Sequence, residues 1–494
     1  MQTKYSLNLS QVKVNNPTPT IVPLSKLLKR HGGQRLHLLW SSGPARGVMS
    51  LKDSKPHLTP SQASELLSRL FGLTASQIKP LPSYDDQNFY VSVTEGGEYV
   101  LKIMNSTDSE NWTLLEMHTC SMAFLHQHGL PVQTAVPTLT GELMNLQTIE
   151  SESVSKRYMV RLMTYLPGTP VAKVSCTPEI LYDIGKMAAT LDEVLQQMDH
   201  PNRGALEREN FIWNLSNTPL LEPYLHVMDG EPLQQLVKDV IEQYKCHVLP
   251  NLSSFRKCIN HGDFNDHNIL VEPDDLAGYK ISGILDFGDM SCGYYVFELA
   301  ITIMYMMIES PNPLEVGGPL LAGWESIIPL NEAERNSLYF MVLCRFCQSL
   351  VLARHAVAFY PENEEYLMIT ARTGMHHLKQ LWELGKEQVE SKCRESLNRN
   401  TAKQNKFQRT SEDLLKPPRG FTKCTEDGRS KQLNVIQEDH QHQGNWAQIL
   451  SGTGGIQSRG DHRQALAQSG SWHHKEAVSQ GAEKGQANEG RVSP

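Results

Sequence analysis

Two polar motifs, each bordered by an apolar run, constrain the fold of this chain more than any other feature of its sequence. The octapeptide HGDFNDHN at 261–268 leads directly into the apolar tripeptide ILV, and a second apolar run ends in ILDFGD at 284–289. Short apolar runs bounded by polar turns predict buried strands. The polar residues at the ends of these strands, above all Asp263, Asn268 and Asp286, are therefore predicted to converge on one point.

These three residues, in this order, suit phosphoryl transfer. Kinase catalytic loops place a base Asp five residues before a metal-binding Asn, with a metal-binding Asp on a later turn. Asp263, Asn268 and Asp286 repeat that order and that step. A carboxylate orients an alcohol and takes its proton, and Mg²⁺ prefers oxygen ligands such as those of Asp and Asn. We therefore predict Asp263 as the catalytic base, and Asn268 and Asp286 as magnesium ligands.

A sheet-forming segment precedes these motifs. Residues 89–105, FYVSVTEGGEYVLKIMN, alternate in polarity around a Gly-Gly turn, which is typical of a β-hairpin. Lys102 lies between apolar residues on its second strand, where a buried charge needs an anionic partner. Nucleotide phosphates and the carboxylate of Glu116, on the following apolar-periodic helix, would provide that partner. Glu110 is the alternative to Glu116.

Longer stretches of the sequence carry a family resemblance. Over roughly residues 56–388, about two thirds of its length, the chain resembles the aminoglycoside phosphotransferase-like kinases. The stretches that carry this resemblance are LPSYDDQNFYV (81–91), YVLKI (99–103), VRLMTYLPG (160–168), RENFIWNL (208–215), INHGDFNDHNIL (259–270), GILDFGDMSCGYYVFELAITIMYMMIES (283–310) and PENEEYLMITARTG (361–374).

The resemblance implies a bilobal protein-kinase-like fold of the α+β class, with a small antiparallel-sheet N-lobe and a larger, mainly helical C-lobe. It assigns residues 56–164 to the N-lobe and 165–388 to the C-lobe. Between the lobe boundary and the catalytic loop, Ile180–Leu195 and Leu233–Val248 repeat apolar residues at steps of three and four. That period predicts two helices of the C-lobe.

Transferred to this sequence, the resemblance implies a nucleotide site between the lobes. Lys102 would hold the α- and β-phosphates, and Glu116 would orient Lys102. The backbone of Met163 and Tyr165 would read the nucleotide base at the hinge. Magnesium, held by Asn268 and Asp286 as predicted above, would be the required metal.

The segment SYDDQN, 83–88, departs from the pattern of protein kinases, which cover the phosphates with a glycine-rich loop. It contains no glycine, so we predict phosphate contacts from Ser83, from Asn88 or from turn amides. Asp85 and Asp86 would repel a triphosphate. We therefore predict that these two carboxylates face solvent or substrate.

The acceptor is expected to be a cationic small molecule. Residues 56–390 carry a net charge of −21, which favours such a substrate and argues against nucleic acid as a partner. Asp266, Asp289 and Glu298 are the nearest acids for a substrate ammonium, and each has a structural role as its alternative. The resemblance implies 5-hydroxy-L-lysine as the acceptor and GTP as the donor, while the spacing of the motifs leaves ATP open.

Two other functions fit the same motifs. One is a kinase of another amino alcohol, such as homoserine, choline or ethanolamine, that uses ATP. The other is a catalytically silent, nucleotide-binding scaffold whose basic ends recruit partners. The presence of all five catalytic-type residues argues against the second function.

The two ends of the chain differ in composition from its centre. Residues 1–55 are basic and residues 389–494 are rich in polar residues without apolar period, so both are predicted to be disordered. No secretory signal is visible, and nine cysteines without framework spacing indicate a reducing compartment. The lack of acids over residues 1–52 also suits a mitochondrial transit peptide, but early prolines break the required helix. We therefore expect a cytoplasmic protein.

Apolar stretches in the second half are predicted to be core helices. The longest, around Ile301–Ile308, is too short to span a bilayer, so no membrane partner is expected. Cys344 and Cys347 form a CxxC pair inside an apolar helical run that has no second pair. We predict that they are buried structural thiols and form neither a zinc nor a redox site.

Overall fold

The computed structural model describes residues 54–151, 154–274 and 278–414. The first of the two lobes is built on one antiparallel sheet with a helix on either side. Its elements are α1 (Pro60–Phe71), β1 (Ala75–Leu81), β2 (Gln87–Val93), β3 (Glu98–Ile103), α2 (Trp112–Gln127), β4 (Ala135–Val136), β5 (Asn145–Ser151) and β6 (Val154–Thr164).

The strand order places Lys102 in the middle of this sheet. The order is β1-β2-β3-β6-β4, with β5 also paired to β6, and every pairing is antiparallel. Leu101 and Ile103 pack in one cluster with the buried residues of α1. Because side chains alternate along a strand, Lys102 points to the opposite face. Its neighbours across the sheet are Asn88 on β2 and Arg161 on β6.

The second lobe is mainly helical. Its elements are β7 (Thr169–Pro170), α3 (Pro178–Gln196), a long 3₁₀ segment (Leu215–Met228), α4 (Pro232–His247), β8 (Lys257–Asn260), β9 (Ile269–Asp274), β10 (Gly278–Ile284), β11 (Ser291–Tyr294), α5 (Tyr295–Ile308), α6 (Gly317–Glu325), α7 (Glu332–Phe359), α8 (Glu364–Leu367) and α9 (Ala371–Leu414). Helices α3 and α4 occupy the two segments that the apolar period predicted.

Small sheets of the C-lobe bring the two polar motifs together. Strand β9 pairs with β10 in antiparallel fashion, with Ile269 opposite Ile284. Strand β8 pairs with β11. The loop from β8 to β9 and the turn after β10 therefore emerge side by side, at the edge that faces the N-lobe.

The two apolar helices α5 and α7 form the centre of the C-lobe. Within the described ranges, α7 is the one helix that could cross a membrane by length and composition, but its most apolar window is 83% buried in the protein. It begins with a capping box between Asn331 and Glu334. Cys344 and Cys347 are buried free thiols, and burial raises the pKa of Cys344 to about 12. The predictions of core helices and of buried thiols are confirmed.

The C-terminal helix extends further than the sequence indicated. Helix α9 continues to Leu414, so the prediction of disorder from residue 389 is wrong for residues 389–414. Ser396 donates a hydrogen bond from Oγ to a backbone carbonyl of the turn before α6, at 2.9 Å. A Cβ at Gly318 would lie 2.5 Å from the carbonyl of Cys393, so a glycine is what lets α9 pack this closely. Residues 1–53 and 415–494 lie outside the described residues.

Candidate active site

The loop between β8 and β9 holds Asp263 by hydrogen bonds from its own residues. The Nδ2 atoms of Asn265 and Asn268 each donate to Oδ2 of Asp263 at 2.9 Å. The N–H of Asp263 donates to Nδ1 of His261 at 3.2 Å, and Nε2 of His261 lies 2.9 Å from the carbonyl of Leu285. These contacts orient the carboxylate, and its side chain stays 22% exposed toward the cleft.

Gly262 makes the tight turn that this loop requires. Its φ of +82° lies in the left-handed region, and a Cβ there would approach the backbone oxygen of Asp289 to 2.5 Å. The N–H of Gly262 donates to Oε2 of Glu298 at 3.0 Å. Glu298 is fully buried on α5, and burial raises its pKa. Because no substrate can reach it, the prediction of Glu298 as a substrate contact is wrong, and its role is to support the loop.

Asp286 follows β10 in an unusual backbone conformation. Its φ is +55°, and within the described ranges it is the only non-glycine residue with a positive φ. The N–H of Leu285 donates to the carbonyl of Asn268 at 2.8 Å, which fixes the turn against the catalytic loop. Strained residues of this kind persist where surrounding contacts hold them, and they cluster at functional sites. The structure therefore brings Asp263, Asn268 and Asp286 together at one edge of the C-lobe.

Lys102 reaches this edge from the N-lobe sheet. Its Nζ lies 3.2 Å from Oδ1 of Asp286 and 3.1 Å from Oδ2 of Asp86. Burial alone would lower the pKa of Lys102, but Asp286 and Asp86 together raise it above its usual value. The charge of Lys102 in turn lowers the pKa of Asp286. The lysine is thus a permanent cation between two carboxylates.

The carboxylate that holds Lys102 in the N-lobe is Asp86 and not Glu116. Among the described residues Glu116 forms no ion pair with Lys102; instead its Oε2 accepts a hydrogen bond from Nδ2 of Asn202 at 3.0 Å. Asp86 is 8% exposed and also accepts the N–H of Asn105 at 2.8 Å. The prediction that Asp86 faces solvent or substrate is therefore wrong, and the predicted Lys102–Glu116 pair is not formed.

A second buried cation explains why Lys102 pairs with Asp86 rather than with Glu116. Arg161 lies opposite Lys102 on β6 and points to the same face of the sheet. On the α2 side, Nη1 of Arg161 donates to Oγ1 of Thr119 at 3.0 Å. Two adjacent cations in a buried position require anions close by. Asp86 and Asp286 attract both cations.

The loop that carries Asp86 is fixed by its own contacts. The Ser83 hydroxyl donates to the carbonyl of Asp86 at 2.6 Å, so in this structure it does not point to a phosphate. Asn88, next to Lys102 on β2, has a buried Oδ1 without a hydrogen-bond partner in the described part of the chain. Burial first, and then the charge of Asp86, raise the pKa of Asp85 well above its usual value. Asn88 therefore remains the better candidate for a nucleotide contact.

The predicted hinge lies at the end of β6. Met163 is buried and pairs with Val100 on β3 and Ala135 on β4. The N–H of Tyr165 donates to the carbonyl of Glu98 at 3.2 Å. Because that amide is already engaged, a nucleotide base would have to use other backbone groups of the hinge, such as the carbonyl of Tyr165.

Two acids near Asp263 have carboxyl pKa values raised well above their usual range. Burial, followed by the charge of Asp263, raises the pKa of Asp289 to about 7. Burial also raises the pKa of Asp266 to about 7, and its Oδ2 has no hydrogen-bond partner among the described residues. A cation close to either carboxyl group would favour its charged form. Asp289 is partly exposed and is the better candidate for a substrate ammonium, while Asp266 is only 3% exposed and is the less accessible one.

Sequence reasoning missed Arg345, which lies in the middle of α7. Its Nη2 donates to Oδ1 of Asp263 at 2.9 Å. The available signal was a single charged residue inside the apolar run MVLCRFCQSLVL, 341–352. An isolated charge in a buried helix needs a partner elsewhere in the fold.

The oxygen atoms at this edge fit a hard divalent cation. Nδ2 of Asn268 is directed at Asp263, which leaves its Oδ1 for a metal. Asp286 uses Oδ1 for Lys102 and keeps Oδ2. Within the described stretches there is no group of three or more His, Cys, Asp or Glu residues suited to a metal. Magnesium sites at nucleotides need fewer protein ligands, because phosphate oxygens and water complete the shell.

Comparisons with known proteins agree with this geometry. The profile of the phosphotransferase enzyme family, APH, matches residues 77–330. Hydroxylysine kinase of Danio rerio is 66% identical over 342 residues, 69% of this chain and 96% of that protein. Hydroxylysine kinase of Xenopus laevis is 56% identical over 354 residues, 69% of this chain and 95% of that protein.

A solved structure shows the same fold. The microcompartment-associated aminopropanol kinase superposes with a TM-score of 0.51 at 17% identity, covering 65% of this chain and 98% of that one. This likeness confirms the bilobal α+β architecture. The family profile over half of the chain and relatives of this identity lead to one conclusion: the chain belongs to the phosphotransferase enzyme family, as an enzyme that phosphorylates an alcohol group, and is similar there to hydroxylysine kinases.

Proposed function

We propose that this chain transfers the γ-phosphate of GTP to the hydroxyl group of 5-hydroxy-L-lysine, giving 5-phosphohydroxy-L-lysine and GDP, in amino-acid catabolism. The acceptor and the donor are proposed from the similarity to hydroxylysine kinases. The observation that carries a kinase function is the meeting of Asp263, Asn268, Asp286 and Lys102 in one cleft.

Asp263 is proposed to act as the general base. The acceptor hydroxyl would donate to a lone pair of its carboxylate that protein donors leave open. The hydroxyl oxygen attacks the γ-phosphorus, the bond to the β–γ bridging oxygen breaks, and the hydroxyl proton passes to Asp263. Asn268 Oδ1 and Asp286 Oδ2 would hold Mg²⁺, which neutralises phosphate charge when bound.

Lys102 is proposed to bind the α- and β-phosphates. An ammonium has three N–H donors, and Asp86 and Asp286 take two of them. The third is left for a phosphate oxygen. In this proposal Asp86 has the orienting role that was expected of Glu116.

Asp289 is proposed to receive an ammonium group of the substrate, with Asp266 as the second candidate. Hydroxylysine carries two ammonium groups and one carboxylate near neutral pH, so its net charge is positive. Asp289 lies close enough to Asp263 for each charge to affect the other. A substrate cation near both acids would offset that repulsion.

A direct assay tests the proposal. The purified full chain would be given 5-hydroxylysine, homoserine, choline or ethanolamine, each with Mg-GTP and with Mg-ATP. Phosphorylated product would be identified by mass spectrometry, and lysine, which lacks the hydroxyl group, is the matched control. We expect kcat/KM for hydroxylysine with GTP to exceed every other pair by about 100-fold.

Two results would contradict this expectation in different ways. A higher kcat/KM with another alcohol or with ATP would replace the proposed acceptor or donor and keep the reaction class. Binding of Mg-nucleotide without turnover of any acceptor would support the silent scaffold and overturn the proposed kinase.

We also propose a cytoplasmic location. The eight cysteines in the described ranges are free thiols, which agrees with a reducing compartment. Fractionation against cytosolic and mitochondrial markers tests this proposal, and enrichment with the mitochondrial marker would contradict it.

A further inference from the structure

A buried arginine contacts the proposed base from the protein side. Arg345 lies midway along α7, and its side chain is only 1% exposed. Its Nη2 donates to Oδ1 of Asp263 at 2.9 Å, and its Nη1 donates to the carbonyl of Trp213 at 3.1 Å. Because removing a guanidinium from water is costly, such a residue persists only with well-placed partners.

Aromatic rings fix the guanidinium of Arg345 in place. The guanidinium lies 4.9 Å from the ring centre of Trp213 and 5.3 Å from that of Tyr305. The Tyr305 side chain also forms a hydrogen bond with it. A planar guanidinium held by rings and hydrogen bonds has little rotational freedom. It can therefore define the orientation of a partner carboxylate.

The donors around Asp263 determine which of its lone pairs remain open. Asn265 and Asn268 both donate to Oδ2, and Arg345 donates to Oδ1. An ionised carboxylate offers about four acceptor sites. With three occupied, the remaining site is on Oδ1, and the Asp263 side chain is 22% exposed.

We propose that Arg345 is a positioning residue for the phosphoryl transfer: it holds Oδ1 of Asp263 in the orientation in which the open lone pair accepts the proton of the acceptor hydroxyl. This inference rests on the proposed role of Asp263 as the base. Arg345 does not bind the substrate, because its side chain is buried. It also lies beyond residue 330, where the match to the family profile ends.

Loss of Arg345 would also change the electrostatics of the base. The charged and titratable groups that interact with Asp263 are Arg345 on α7, Tyr305 on α5, Asp289 after β10, Asp266 and His267 on its own loop, and Tyr366 on α8. Of these, Arg345 is the cation in direct contact. Without it, the carboxylates of Asp263 and Asp289 would face each other with less compensation, and Oδ1 of Asp263 would lose its fixed donor.

The test compares Arg345→Met and Arg345→Lys with Arg354→Met. Arg354 lies on the same helix and pairs with Glu231, outside the site. We expect Arg345→Met to lower kcat about 100-fold and to leave Mg-nucleotide affinity unchanged. Arg345→Lys keeps the charge, so it should lose less activity. Arg354→Met should have the kinetics of the unmodified protein.

Asp263→Asn separates this inference from the proposed function. If that variant stays active, the proposed base is wrong, whatever Arg345 does. If it is inactive while Arg345→Met keeps a normal kcat, the inference about Arg345 is overturned and the kinase function stands. In the Asp263→Asn background, Arg345→Met should cause little further loss, since the two residues act as a unit.

Thermal unfolding shows whether Arg345→Met lowers kcat only by destabilising the fold. If Arg345→Met fails to fold, Arg345→Lys decides. A reduced kcat with normal Mg-nucleotide affinity and a normal melting temperature supports the positioning role. A normal kcat in Arg345→Lys overturns it.

Discussion

The two halves of the site are held in place by different kinds of contact. In the C-lobe half, hydrogen bonds within one eight-residue loop orient Asp263 and Asn268. In the N-lobe half, Lys102 is held by Asp86 and Asp286, which lie 16 residues before it and 184 residues after it in the chain. The catalytic loop is therefore held mainly by contacts within its own sequence, with Arg345 of α7 as a distant partner, whereas the phosphate-binding lysine depends on how the lobes pack.

Because of this difference, we expect mutations in the two halves of the site to affect different steps of the reaction. Damage to Asp263 in the C-lobe half should remove chemistry and leave nucleotide binding, because Asp263 acts on the acceptor hydroxyl. Damage to the N-lobe half should weaken nucleotide binding, because Lys102 and its partners face the phosphates. Substitutions in each half test whether loss of chemistry and loss of nucleotide binding are separate effects.

The largest effect is expected for Asp263→Asn. We expect kcat to fall about 1,000-fold or more, since a positioned base contributes up to about 10⁴-fold. Asparagine keeps an oxygen that accepts the hydrogen bond from Arg345, so the fold should be retained. Steady-state kinetics and titration with Mg-nucleotide would measure both properties. Nucleotide affinity that falls together with kcat would break the division between the two halves.

A smaller loss is expected on the N-lobe side, where Asp86→Asn and Glu116→Gln form a matched pair. Asp86→Asn removes the charge that holds Lys102, and the loss of one such electrostatic contact costs about 100-fold. We therefore expect Asp86→Asn to lower kcat/KM for the nucleotide by about this factor. Glu116→Gln should have little effect, because its partner is Asn202 and glutamine can keep that hydrogen bond. The opposite ranking would restore Glu116 as the orienting carboxylate.

The same contrast explains how much of the site the sequence could predict. The convergence of Asp263, Asn268 and Asp286 follows from short motifs at strand ends, so it could be inferred without coordinates. The partner of Lys102 could not be inferred, since it depends on Arg161 occupying the same face of the sheet. Repulsion from a nucleotide favours solvent or substrate for Asp86, and the buried cation Arg161 reverses that expectation.

Elsewhere in the fold, too, features that depend on local sequence could be predicted, and features that depend on distant contacts could not. Helices α3 and α4, the buried helix α5 and the thiols of α7 could be predicted, because apolar period and composition are local properties. The packing of α9 beyond residue 388 was missed, because it rests on contacts such as that of Cys393 with Gly318 rather than on a strong apolar stripe. Arg345 was missed for the same reason, since its partner is 82 residues away in the chain.

A pH effect on stability is expected from Asp289. Its folded-state pKa is about 7, above its ordinary value of 3.8. A raised carboxyl pKa means that the folded protein binds the proton more tightly than the unfolded chain does. The resulting stabilisation is complete below pH 3.8 and is lost as pH rises through 7. Between pH 6 and 8 the ligand-free protein should lose about 1 kcal/mol of unfolding free energy from this group.

Urea unfolding at several pH values checks this prediction, with Asp289→Asn as the variant. The slope of stability against pH should be smaller in the variant. Asp266→Asn is the matched comparison, because burial raises the pKa of Asp266 to a similar value. A slope that neither substitution reduces would show that other groups determine the pH dependence.

The smallest effect concerns the loop that carries Asp86. Nζ of Lys55 donates to the carbonyls of Ser83 and Tyr84, at 3.1 and 2.9 Å, and so ties this glycine-free loop in place. We expect Lys55→Met to raise KM for the nucleotide about threefold, since a hydrogen bond contributes about 1 kcal/mol net. Lys79→Met, at an exposed position on β1, is the control. The contrary result is a Lys55→Met variant with a lowered melting temperature and an unchanged KM. In that case Lys55 stabilises the fold and does not position the loop for the nucleotide, and the ion pairs of Lys102 alone orient the N-lobe half of the site.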